Sequence, residues 1–296
     1  MRVLITGAGG QVGTELKIQS DNYDFEMFFS DKNEIDISSE EDLFSKVSEL
    51  KPDVIINAAA YTNVDLAEEE RDLSLDVNFI GVLNLSKVCK EFSILLIHLS
   101  TDYIFSGSKE GPYIETDAPD PVNTYGETKL LGERAIKEIL SKYIIIRTSW
   151  LFSEHKGQSF YSTILKKIEE KEVIRVVNDQ FGCPTSVKSL TNTIYLLCEK
   201  YAASKEIEYG IFHYVNYPPT SWHDFAQKIS DLAYKKQIIT QPQVIESVSY
   251  TEYATKATRP INSSLISKRL EESLGIKETS WFSELEKTIG RELNED

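Results

Sequence analysis

"VLITGAGGQVG" (Val3–Gly13) decides the fold. "VLITG" is a short apolar run closed by glycine, which predicts a buried strand. Gly7, Gly10 and Gly13 then give G-x-x-G-x-x-G just before a helical pattern that starts at about Gln11. Glycine there permits a tight turn, close approach of backbone to a pyrophosphate, and close packing of helix on strand. The helix N-terminus adds free N–H groups and a favourable dipole for the anion. A glycine-rich turn can also be only structural. Its place after the opening strand of an alternating chain predicts instead a dinucleotide held at Gly7, Gly10, Gln11 and Val12.

The alternation continues downstream. Strands are expected at Asp24–Asp31, Pro52–Ala60, Ile94–Asp102 and Tyr143–Trp150. Helical patterns lie between them, one capped by Ser38 or Ser39 with acids in its first turn. Strand–helix alternation of this length implies a parallel sheet covered on both faces. The expected fold class is α/β, a Rossmann-type doubly wound parallel sheet with a smaller mixed α/β substrate-binding lobe. Residues 1–150 form the dinucleotide-binding domain and 151–296 mainly the second lobe, with segments within about 186–217 returning to the sheet. The acidic tail "RELNED" is expected to fray.

A net charge of −15 argues against nucleic acid or an anionic membrane as the main partner. No apolar run approaches the ~18 residues of a membrane span, and "MRVLITG" reads as a strand rather than a secretory leader. Cys89, Cys183 and Cys198 form no C-x-x-C, and the four histidines are scattered, so no zinc pattern appears. Reduced thiols in a cytoplasmic protein are the expectation.

Asp31 closes the second strand, where a carboxylate can accept hydrogen bonds from an adenosine ribose. Its charge should disfavour the extra phosphate of NADPH and favour NADH, with Lys32 softening the preference. Asp36 and Ile37 are candidates for lining the adenine. Ala59, Ala60 and Tyr61 end the third strand, where small side chains let the middle of a cofactor lie close.

Two stretches place tyrosine four residues before lysine, "YGETK" (Tyr125–Lys129) and "YAASK" (Tyr201–Lys205). On a helix that spacing puts both side chains on one face. Fifteen tyrosines in a lysine-rich chain give roughly one such spacing by accident. Tyr125 opens the helix after the fourth strand, on the sheet edge where ligands bind. The fourth strand ends in "LSTD", which brings Thr101 to the same edge. Tyr201 instead reads as a solvated helix end. Tyr125, Lys129 and Thr101 are the candidate catalytic set.

Glycines at 7, 10 and 13, a strand-end threonine and Tyr-x-x-x-Lys together resemble the extended short-chain dehydrogenase/reductase superfamily. The ordered blocks "NAAAYTNVDLAE", "STDYIFSG", "YGETKLLGE", "RTSWLF", "NDQFGCPT" and "RPINSSL" look like the dTDP-4-dehydrorhamnose reductase family, from Met1 to about Leu265. The last two blocks are the more specific. Leu66 departs from the lysine usual after "VD", and Ser106 falls in a variable loop.

The resemblance implies hydride transfer from NADH or NADPH to a 4-keto-6-deoxy sugar on dTDP, with Tyr125 donating the proton. Lys129 is expected to lower the phenol pKa and bind the nicotinamide ribose, and Thr101 to orient the keto oxygen. Thr62, Val64, Asp102, Trp150 and Arg259 are the substrate candidates, with Asn178–Thr185 near the dTDP. The related 4,6-dehydratases carry Asp-Glu after the threonine, whereas this chain reads Asp102-Tyr103, so dehydration is not expected. His223 reads as structural. Some relatives dimerise through a magnesium ion; Glu15 matches one ligand, the others are not found, and no metal is assigned. A homodimer remains an expectation of the resemblance. The alternatives are a reductase or epimerase for another nucleotide sugar, or a dinucleotide-binding regulatory subunit without catalysis.

Overall fold

The structure, a computed structural model, describes residues 1–289 except 156, 158, 171, 172, 206 and 254. The "RELNED" tail lies outside the described residues. Strand β1 (Arg2–Thr6) begins one residue ahead of its expected run, and β2 (Glu26–Ser30), β3 (Val54–Asn57), β4 (Leu95–Thr101) and β5 (Tyr143–Thr148) fall inside the expected segments. Between them run α1 (Gln11–Gln19), α2 (Glu40–Leu50), α3 (Arg71–Leu75), a π-helical turn (Asp76–Ile80), α4 (Gly81–Phe92) and α5 (Thr124–Ile139). The stretch "LDVNFIGVLNLSKVCKEF" (Leu75–Phe92), whose apolar spacing predicts a single helix, is therefore not one regular helix. The π turn carries Asn78, whose amide spends its groups outside the helix, accepting from the Tyr61 N–H and donating to the Tyr61 carbonyl. Such turns recur where a helix lends a side chain to a neighbouring loop.

The second half supplies β6 (Leu151–Phe152), α6 (Phe160–Glu169), β7 (Ile174–Val177), β8 (Phe181–Gly182), β9 (Thr185–Ser186), α7 (Val187–Ser204) and β10 (Gly210–His213). β11 (Thr220–Ser221), α8 (Trp222–Lys235), β12 (Ile245–Val248), α9 (Lys268–Leu274) and α10 (Trp281–Thr288) complete it. The main sheet has the order β10-β5-β4-β3-β1-β2, with every neighbouring pair parallel. β10 leaves the second half of the chain to pair with β5, and α7 covers the sheet beside α1.

Two apolar layers sandwich the sheet. Val3, Ile5, Leu16, Ile97, Leu190 and Ile194 pack on one side, and Leu4, Leu43, Ile55, Leu85, Leu96 and Ile136 on the other. Each fully buried aliphatic side chain of this kind contributes roughly 1.5–3 kcal/mol. A separate cluster joins α6, α8 and α10 around Phe152, Tyr161, Phe225 and Trp281. Beside it β7 and β12 form a parallel pair that the sequence reading did not anticipate. Ser39 caps α2 by accepting from the Asp42 N–H, and Ser221 caps α8 by accepting from the Asp224 N–H. Among the described residues no helix is long and apolar enough to cross a membrane.

Candidate active site

The site begins at the glycine turn. Gly7 has φ +76°, and a Cβ there would stand 2.4 Å from the Ala59 nitrogen. A side chain is excluded both by the left-handed backbone and by the end of β3. At Gly13 a Cβ would meet the Gly7 carbonyl at 2.4 Å, so this glycine lets α1 start against the turn. Gly10 occupies the N-cap of α1 and supplies no side-chain cap, while a Cβ there would meet only the Gly7 oxygen, at 3.4 Å. The first turn of α1 thus carries no side-chain cap, and Gly10 adds no Cβ beside it. A dinucleotide pyrophosphate fits that cradle.

The rim opposite is built by β4 and α5. Asn123 caps α5 by accepting from the Gly126 N–H at 2.8 Å, which fixes Tyr125 in the first turn. A Cβ on Gly126 would lie 2.1 Å from the Tyr103 carbonyl, so this glycine draws the helix start onto the end of β4. Glu68 accepts from the Thr124 N–H and hydroxyl, tying in the loop that follows β3. The result sets Tyr125 beside the Thr101 hydroxyl and edge-on to Tyr103, with ring centroids 6.0 Å apart.

Lys129, one turn further along α5, is buried and donates to the Leu99 carbonyl at 2.6 Å. Enclosure lowers its pKa to about 8, with Glu133 acting against the shift. Enclosure also pushes Tyr125 up to about 12, only partly offset by the Thr101 hydroxyl. The sequence reading expected Lys129 to lower the phenol. In the chain by itself burial dominates, because it opposes phenolate and ammonium alike. Asp102 accepts from Thr101 Oγ1 at 3.0 Å, and burial raises its carboxyl to about 7. Behind them Glu133 accepts two hydrogen bonds from Arg147 and one from Ser100, a fully buried network that fixes the back of α5 against β4 and β5.

These groups share one cavity of about 490 Å³. Gly10, Gln11 and Val12 form its glycine side, Ala60, Thr62 and Val64 the rim after β3, and Thr101, Asp102, Tyr125 and Lys129 the opposite wall. Trp150 closes the far end. Its backbone is left-handed at φ +46°, and its indole stacks on Trp222 with centroids 3.4 Å apart. A second cavity of about 380 Å³ continues past Val64, Tyr103, Phe160 and Trp222, which line both. Arg259 borders this second space and forms a two-pronged pair with Asp65, at 3.1 and 2.7 Å. That contact holds the Asp65 carboxyl below its ordinary range.

Other sequence candidates lie elsewhere. Asp31 follows β2 near the glycine turn, where the Ala8 N–H reaches the Ser30 carbonyl, and its carboxylate accepts from the Asn33 N–H. Asp36 accepts from the Ser38 N–H and hydroxyl, and Ile37 packs where Gly81 lacks a side chain. Ala59 donates its N–H to Asn57 Oδ1, and the Tyr61 phenol donates to Glu70 on the outer surface. None of these five lines either cavity. Of the "NDQFGCPT" block only Gln180 does; Asp179 instead accepts from the Tyr250 N–H.

The second tyrosine–lysine pair lies at the other end of the sheet. Lys205 reaches Asp53, just ahead of β3, and its ammonium stands 5.0 Å from the Tyr201 ring centre. Tyr201 is buried in the main core rather than solvated, because α7 carries it onto the sheet. His223 hydrogen-bonds with the Ile245 carbonyl. Glu15 is engaged by Gln19 at 2.6 Å and His155 at 3.1 Å. The sequence reading missed Trp222, Phe160 and Tyr103 as shared walls. The dipeptide after Thr101 did draw attention to Tyr103, but only for what it was not.

The six-stranded parallel sheet, the glycine turn and the Tyr125 helix at one rim define the extended short-chain dehydrogenase/reductase fold. The chain belongs to the RmlD substrate binding domain family, whose profile matches residues 1–293. It is 38% identical to a dTDP-4-dehydrorhamnose reductase of Aggregatibacter actinomycetemcomitans over 281 residues, 95% of each chain. It also resembles the crystal structure of a Bacillus anthracis dTDP-4-dehydrorhamnose reductase in complex with NADP, at 36% identity and a TM-score of 0.90, covering 97% of this chain and 98% of that one. The Thermus thermophilus UDP-glucose 4-epimerase complex with NAD, at 16% identity and a TM-score of 0.80 over the full length of both chains, shares the fold.

Proposed function

We propose that the chain reduces the 4-keto group of dTDP-4-dehydro-L-rhamnose to dTDP-L-rhamnose with a reduced nicotinamide dinucleotide. The observation that carries this reading is the convergence of Tyr125, Thr101 and Lys129 on the cavity that the glycine turn opens, continuous with a second cavity bordered by Arg259. The coenzyme, when bound, supplies the hydride; its pyrophosphate would rest on Gly10, Gln11 and Val12 at the start of α1.

Reducing a ketone needs a proton at oxygen as well as hydride at carbon. Tyr125 carries that proton throughout the physiological range, since enclosure keeps the phenol protonated. A positive nicotinamide ring and the Lys129 amine would both favour phenolate as charge moves, easing release of the proton in the transition state. Thr101 holds the keto oxygen in line with the Tyr125 hydroxyl, and Trp150 covers the sugar. Arg259, already oriented by Asp65, lends its positive charge to the diphosphate. Asp102 hydrogen-bonds sugar hydroxyls. Asp31 opposes the added phosphate of NADPH, Lys32 softens that bias, and either coenzyme is accepted.

The deciding experiment mixes the purified chain with dTDP-4-dehydro-L-rhamnose and NADH or NADPH, following the reduced-nicotinamide absorbance. Oxidation that depends on the sugar nucleotide, with dTDP-L-rhamnose as product, supports the reading. Tight coenzyme binding without turnover would instead support a regulatory subunit.

A further inference from the structure

Asn57 and His98 have no part in the chemistry above, yet they form a buried chain that ends on Lys129. They are register partners on β3 and β4, and both are fully buried. Two donors fix the Asn57 amide. The Ala59 backbone N–H, which cannot rotate, reaches Oδ1 at 3.1 Å, and the Thr6 hydroxyl donates to the same oxygen at 2.8 Å. Nδ2 therefore faces His98 Nδ1, at 2.9 Å. An amide nitrogen only donates, so Nδ1 accepts, and the single proton of a neutral imidazole sits on Nε2. Turning the amide over would press its NH2 against the Ala59 N–H and leave buried donors unmatched. His98 is neutral, because burial and the nearby Lys129 hold its pKa well below the ordinary value. Its Nε2 lies 3.4 Å from Lys129 Nζ.

We propose that His98 is a positioning residue for Lys129: Asn57 locks the imidazole so that its Nε2–H points at Nζ, which orients the amine and lowers its appetite for a proton. An ammonium has three N–H groups and no lone pair, so a fourth N–H aimed at it is repelled; a neutral amine accepts that hydrogen. With the Leu99 carbonyl taking one Nζ hydrogen and His98 meeting the lone pair, the last hydrogen turns toward the cleft. The other ionisable groups nearby are Glu133 on α5, which favours the ammonium and is itself paired with Arg147 on β5, and Tyr125 with its neighbour Asp102. Lys129 then exchanges protons near working pH instead of serving as a fixed charge. The proposal rests on the assignment of Lys129 as the partner of Tyr125.

The test reads the protein without substrate. Nitrogen-15 labelling of the four histidines in the full chain, with His98 assigned by the signal lost in His98→Gln, reports the tautomer. Nδ1 unprotonated and Nε2 protonated across neutral pH is the expected result, switching to Nδ1-protonated in Asn57→Asp. Carbon-13 at Lys129 Cε then gives the lysine titration. In His98→Met the midpoint should rise by about one unit, the loss of one opposing N–H dipole, whereas His98→Gln, which keeps a donor, should stay near wild type. A purely structural role predicts the reverse, since methionine removes a polar neighbour and deepens desolvation. An Nδ1-protonated wild type, or a flat or falling midpoint in a folded His98→Met, overturns the proposal; should His98→Met not fold, the wild-type tautomer and the Asn57→Asp switch decide. These signals do not depend on turnover, so a chain inactive on the sugar nucleotide leaves them readable.

Discussion

The Trp150 indole lies on Gly182: a methyl group added to that glycine would stand 2.3 Å from Trp150 Cε2. The ring is also stacked on Trp222, so it has little room to give. Gly182→Ala should displace the indole and destabilise the fold by about 1–3 kcal/mol, as overpacking does. Thermal unfolding should record that loss. The KM for the sugar nucleotide should rise several-fold while coenzyme affinity holds; equal losses of both would place Trp150 away from the sugar.

Tyr125→Phe removes one hydroxyl and leaves the ring that packs edge-on to Tyr103. Turnover should drop by roughly 10²–10⁴, the range of general acid catalysis. Coenzyme binding, followed by fluorescence titration, should be unaltered. Near-normal turnover would remove Tyr125 from the chemistry.

Asp31 places its carboxylate at the end of β2, anchored by the Asn33 N–H. Asp31→Ala should shift the ratio of kcat/KM for NADPH over NADH upward by about tenfold, one charge–charge contact near a protein surface. An unchanged ratio would mean that the adenosine ribose lies elsewhere.

Acid should unfold this chain through its buried histidines. Burial drops the His213 pKa to about 3, and His98 is likewise held well below 6.5. Between pH 6.5 and about 4 the unfolded imidazoles take up protons that the native ones refuse. Stability then falls with pH by about 1.4 kcal/mol per unit for each histidine fully inside its window. Asp102 works against this: its native carboxyl, raised to about 7, is protonated while an unfolded one stays ionised down to 3.8, so it adds stability as pH drops through 7. Burial raises the Glu115 carboxyl in the same sense. Carboxyls held low, Asp65 by Arg259 and Asp36 by Ser38, lose stability on acidification alongside the two histidines, so the net sign is a loss. Urea midpoints should decline from pH 6.5 to 4, with a shallower slope in His213→Asn; a level profile would contradict the sign.

The sequence was informative wherever one residue's backbone or period sets the geometry. Gly7 and Gly13 announce the turn, apolar runs announce β1 to β5, and Tyr125 is picked out from Tyr201 by its place after a strand. Boundaries shortened, since Ala58 to Ala60 and Ser149 to Trp150 lie past the last ladder pairs. Contacts across the sheet were not visible. Asn57 and His98 are 41 residues apart, and only strand register makes them neighbours. Trp222 escaped notice because its meeting with Trp150 depends on how α8 docks, which no local pattern encodes.

β10 joins the sheet only after the chain has left it to lay down α6 and β7 to β9, and α8 then departs again. Neither half of the molecule can be completed before the other has been started. A gene split near residue 150 would yield a first fragment with β5 as a raw edge, sticky toward any strand it meets. Swapping the second half between relatives would therefore have to carry the Gly210–His213 thread along with it, or leave the sheet of the first half unfinished.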